Sequence, residues 1–143
     1  MSDTLESTVG SDLLLARWKE TAGKLVQLAV EFPADRYDFS PAPEVRTFAG
    51  QARHVAFWNQ YLAATLRGES PDGSANELSP AEFADKPRIV QALRDSFAAV
   101  ADAVAGSVDA AGDVISYIGH NSEHYGQMVI YYRLNGLVPP ASR

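Results

Sequence analysis

The chain has 143 residues, a net charge of −6, no cysteine, and an ordinary balance of 46% hydrophobic to 21% charged residues. These totals suit one soluble domain spanning 1–143. They exclude a disulfide framework, so any metal site must draw on His, Asp or Glu. A polyanion is a poor partner for nucleic acid or an anionic membrane, and no stretch is apolar enough to span a bilayer. The N-terminus "MSDTLESTVGSD" lacks a basic region followed by an apolar run, so a cytoplasmic protein is expected.

Taken in chain order, the first helical period runs from about Ser11 to Phe32. Leu14, Trp18, Leu25, Leu28 and Val30 form its apolar side, and Ser11 or Asp12 is placed to cap it. The prolines of "FPADRYDFSPAP" forbid its continuation. The second period runs from about Thr47, a suitable N-cap, to Leu66, with Gly68 as its stop. A long polar connection follows, in which "SPAE" fits a capping box and predicts one short helical turn. The third period spans about Pro87 to Ala105. The short joint "GSVDAAGD" then demands that the fourth helix, about Asp113 to Asn135, be its antiparallel neighbour. Gly136 and the following prolines end that helix. The expectation is an all-α four-helix bundle with a long crossover between helices two and three.

His120 and His124 lie four residues apart, about 40° apart in projection and one turn apart in height, so they share a face. Asp113, Ser116, Tyr117, Gln127 and Tyr131 fall on the same stripe. On the second helix Thr47, Gln51, His54, Trp58 and Tyr61 form a stripe of similar character. If both stripes face the bundle axis, His54 meets the pair across the core. From spacing alone two plainer readings stay open: a solvated histidine pair, and a hydrogen-bonded core histidine at 54. "HNSEH" also matches the H-x-x-E-H peptidase pattern, with Glu123 as base. That reading fails for want of a third ligand, because no Asp or Glu follows Glu123. Glu123 also projects about 100° away from His124.

Two stretches resemble the DinB/YfiT-like family of helical-bundle metalloenzymes. "YDFSPAPEVRTFAGQARHVAFWNQYL" (37–62) is similar to the family's approach to its first ligand histidine. "HNSEHYGQMVIYYRLNGLVPPASR" (120–143) is similar to its closing motif. The resemblance implies a divalent metal held by His54, His120 and His124, a small-molecule substrate, and frequent homodimers. Zinc is the first choice of metal, with nickel, iron or manganese as other occupants of a three-histidine site. Family chemistry includes thiol-dependent S-transfer and a mycothiol-dependent isomerisation. The functional expectation is therefore a metal-dependent S-transferase, with a low-molecular-weight thiol as cosubstrate, or a hydrolase. The alternative is a non-catalytic metal-binding or stress-response bundle. Gln51, Trp58, Asn59, Tyr61, Asn121 and Gln127 are the candidates for lining the pocket or holding the imidazoles; no residue is singled out as general base.

Overall fold

The computed structural model describes the backbone of residues 2–105 and 109–143, and the side chains of all these except 2–9 and 11. Four long helices carry it: α1 (Ser2–Glu31), α2 (Phe48–Leu66), α3 (Lys86–Ala105) and α4 (Ala111–Leu134). Short 3₁₀ turns occupy Ala34–Arg36 and Pro140–Ser142, and no strand forms among the described residues.

Side-chain pairings fix the directions. Trp18 on α1 donates to the Phe97 carbonyl on α3, and Lys86 at the start of α3 donates to the Phe32 carbonyl at the end of α1. These helices are therefore antiparallel. Lys24 lies over the Tyr125 ring, and Tyr132 donates to the Leu28 carbonyl, so α1 and α4 run parallel. Asn121 reaches Asn59 while Tyr131 reaches the Arg46 carbonyl just before α2, so α2 and α4 are antiparallel. It follows that α2 and α3 are parallel and that residues 67–85 form the expected crossover.

Three expectations are corrected. Helix α1 begins at Ser2, not at Ser11 or Asp12. Gly10 costs a helix about 1 kcal/mol, too little to stop it. Helices α3 and α4 are antiparallel but not packed neighbours. Each packs on α1 and α2 instead, so they face each other across the bundle; of their joint, residues 106–108 lie outside the described residues. Asp113, Ser116 and Gln127, read as core-facing, are exposed.

The element that carries the site is anchored at both ends. At the start of α2 the N–H groups of its first three residues, which have no partner within the helix, find acceptors, and Gln51 makes the first helical bond. Phe48 and Ala49 donate to the Phe39 and Tyr37 carbonyls, Gly50 to the Thr47 hydroxyl at 2.9 Å, and Gln51 to the Thr47 carbonyl. At the other end Gly68 adopts φ +86°, its N–H bonds the Thr65 carbonyl, and Glu69 N–H bonds that of Ala64. This double closure is the Schellman ending that a residue free to take positive φ allows. Gly136 closes α4 in the same way at φ +70°. "SPAE" makes its turn, with Phe83 N–H on the Ser79 carbonyl and Glu82 N–H on the Ser79 hydroxyl.

Candidate metal centre

Helical geometry puts His120 and His124 on one stripe of α4, and the antiparallel packing of α2 brings His54 opposite them. The ring centroids stand 4.5 Å (His120–His124), 4.6 Å (His54–His124) and 5.4 Å (His54–His120) apart. One nitrogen from each ring lies within 4.8 Å of those from the other two. His54 and His124 are buried and His120 is half-buried.

The other nitrogens decide which atoms face inward. His54 Nδ1 is 2.8 Å from the Asn76 carbonyl oxygen. A carbonyl only accepts, so Nδ1 carries the proton and Nε2 keeps its lone pair. His124 Nδ1 donates to Gln51 Oε1 at 2.7 Å, which likewise frees its Nε2. That Nε2 faces His120 Nε2 at 3.1 Å. His120 Nδ1 is buried without a partner. Three imidazoles thus offer nitrogens at a common point, two in a tautomer fixed by an acceptor behind them, the arrangement metal-binding histidines need. Two nitrogens on a tetrahedral zinc at 2.0–2.1 Å lie roughly 3.3 Å apart. His120 and His124 already stand close to that spacing.

Electrostatics agree with the donor set. Burial pushes the pKa of all three histidines down, and the neighbouring imidazoles or the Arg46 guanidinium push the same way. His124 falls to about 4, through burial first and then His120 and His54. All three are neutral near pH 7, the form in which imidazole binds metal.

A family model described as the DinB superfamily matches residues 17–135. The chain belongs to the DinB superfamily. No curated protein and no solved structure matches it. Membership and the three-histidine cluster rest on independent grounds, one on sequence pattern and one on geometry.

The structure distributes the remaining candidates of this DinB chain among different tasks. Gln51 holds His124 and reaches toward the Tyr131 hydroxyl at 3.4 Å. Asn59 and Asn121 are both fully buried, and the Asn121 side chain lies beside His120, where it opposes the lowering of that imidazole's pKa. Asn121 donates to Asn59, which donates to Ser96, so the chain of amides ties α4 to α2 to α3. Tyr61 is half-buried against the Trp58 ring at 4.9 Å. Gln127 is exposed at the rim of a cavity beside Gln51. Glu123 is exposed, and no Asp or Glu joins the cluster among the described residues.

One residue that holds the site was not foreseen. Asn76, in the crossover, takes φ +61° and turns its carbonyl onto His54, while its side-chain oxygen accepts from Trp58 Nε1 at 2.8 Å. Asparagine tolerates left-handed backbone better than other residues with a side chain. The crossover is tied down around it. Glu77 pairs with Arg53 at 2.9 Å, Leu78 N–H reaches the Arg53 carbonyl, and Gly73 lies so close to Trp58 that an added Cβ would sit 2.9 Å from the ring. The only sequence signal was an Asn in a polar linker, which many surface turns share.

Proposed function

We propose that this DinB protein is a metal-dependent enzyme acting on a small molecule, with His54, His120 and His124 holding one divalent ion. The observation that carries the reading is the convergence of three neutral imidazoles, two with tautomers fixed by Asn76 and Gln51. When bound, a zinc-class ion held by these three neutral imidazoles would keep its full charge and would supply Lewis-acid activation of a thiol or water. The reaction class we favour is thiol S-transfer, with hydrolysis second. Family membership supports it, and the chain has no cysteine of its own, so the thiol arrives as a cosubstrate. The protein's part is to orient: Asn76 and Gln51 fix the imidazole planes, and the buried Asn59–Asn121 link holds α2 and α4 in register.

The test is a panel of electrophiles offered with glutathione, mycothiol or bacillithiol to the zinc-loaded, metal-stripped and His54→Ala proteins. Turnover by the loaded wild type alone is expected; equal turnover by all three refutes metal-dependent catalysis. The same reading takes the protein as a single-domain homodimer in the cytoplasm, on the family resemblance. No helix among the described residues is long and apolar enough to cross a membrane. Sedimentation at 15.5 kDa at high concentration would remove the dimer.

A further inference from the structure

A cavity of about 640 Å³ opens beside the histidine cluster, within the size range of small-molecule sites. Gln51, the residue that accepts from His124, is part of its wall, together with Arg46, Tyr131, Gln127, Ile130 and Glu44. The cavity therefore shares a wall with the cluster.

Its cation is Arg46; the half-buried Lys86, which also lacks a carboxylate partner, instead donates to the Phe32 carbonyl and lies over the Tyr37 ring. Among the described residues two arginines are half-buried, Arg46 and Arg53. Arg53 is paired with Glu77 and also donates to the Phe83 carbonyl. Arg46 has no carboxylate within ion-pairing distance among the described residues, although the protein carries a net charge of −6. Glu44 shares the cavity wall but is exposed and unpaired with it. A half-buried arginine with no carboxylate beside it is free to pair with an anion that enters the cavity. The residue is also held in place. Its carbonyl accepts from the Tyr131 hydroxyl. Its stem lies over Gly50, where an added Cβ would stand 3.4 Å from Arg46 Cβ and 3.8 Å from Cγ.

We infer that Arg46 anchors the carboxylate of a small organic anion in this cavity, with the rest of that molecule directed toward the three histidines. A planar guanidinium matches a carboxylate through two parallel hydrogen bonds, and the Gln127 amide and the Tyr131 ring complete a wall of mixed polarity around it. The inference rests on the cluster being the reacting centre only for the direction in which the anion points. The anchor itself needs no metal.

The experiment titrates succinate into the full-length protein, metal-stripped and zinc-loaded, for wild type, Arg46→Gln and Arg46→Lys, with succinamide as the uncharged control. Wild type should bind succinate in both metal states and lose affinity as salt rises. Arg46→Gln should bind about tenfold more weakly, the worth of a charge-assisted pair, and Arg46→Lys should fall between. Zinc affinity of Arg46→Gln should equal or exceed that of wild type, because a neighbouring positive charge has gone. Undiminished succinate binding by Arg46→Gln overturns the assignment. So does succinamide binding to wild type as tightly as succinate, a comparison that survives if the variant fails to fold. So does the absence of succinate binding in wild type at millimolar concentration. Failure of zinc to bind, with succinate behaviour intact, removes the metal reading and leaves the anchor standing.

Discussion

Two clusters of rings, each drawing on α2 and α4, differ in where their heteroatoms point. Near the start of α2 and the end of α4, Phe32 stacks on Phe48 at 3.9 Å, with Tyr37 and Tyr132 at 5.1 Å from one or other of them. Their hydroxyls turn outward onto the Ala29 and Leu28 carbonyls, and burial raises both phenol pKa values, so they remain protonated donors. Further along, the three imidazoles pack at comparable spacing. There the outward nitrogens of His54 and His124 are satisfied by Asn76 and Gln51, while the inward ones face one another. A closed polar account marks a cluster that holds the fold. Convergent lone pairs mark one that binds something.

The contrast can be broken from either side. The largest effect on binding should come from His124→Ala, which should lower zinc affinity at least a hundredfold while leaving the helical spectrum in place. Competition with a chromogenic chelator would measure it; unaltered affinity would place the ion elsewhere. Phe48→Ala should do the reverse. A buried Phe lost to a cavity costs about 3–5 kcal/mol of stability in denaturant unfolding, and the folded fraction should still bind zinc. If zinc binding fails while the fold survives, the two clusters are not separable.

Smaller effects test what stands behind the imidazoles. Gln51→Ala should cost roughly ten- to a hundredfold in zinc affinity, the usual worth of a hydrogen bond that fixes a ligand. At position 76, glycine accepts φ +61° and keeps the carbonyl, whereas alanine is strained there. Affinity should therefore rank wild type, then Asn76→Gly, then Asn76→Ala. An Asn76→Ala protein that binds as well as wild type would make the crossover irrelevant to His54.

Acid should weaken the metal-free protein through the same groups. The folded pKa values of the three histidines lie below the ordinary 6.5, so below about pH 6.5 the unfolded chain binds more protons than the folded one. Their contribution to stability is full above that pH and lost as pH falls toward about 4, where His124 titrates. Urea midpoints should decline from pH 7 to pH 4.5, and less so in His124→Gln. The lowered values also mean that metal affinity holds further below pH 6.5 than free imidazole would allow. The smallest effect belongs to Glu123→Gln, which should leave zinc affinity within about twofold, because the carboxylate is exposed and outside the cluster.

Much of this contrast could be read from the residues. Helical periods placed α2, α3 and α4 within a residue or two, since Thr47, Gly68 and Gly136 are true boundary residues. The start of α1 was hidden, because polar residues and Gly10 look like a boundary yet are tolerated in a helix. The i, i+4 histidines and Gln51, one turn before His54, fall on helical stripes, and stripes are visible in sequence. Asn59 sits beside those stripes but bonds Asn121 and Ser96, and helical spacing cannot distinguish facing an imidazole from facing a neighbouring amide. Asn76 depends on a loop path and one left-handed residue, neither of which has a periodic signature.

The most direct test of the central claim is the anomalous difference density of crystals grown with zinc. One peak should appear per chain, with Nε2 of His54, His120 and His124 each about 2.0–2.1 Å away and the Asn76 and Gln51 contacts retained behind them. No peak between the three rings, or a peak ligated by only one of the helices, would show that the convergent nitrogens do not form a metal centre.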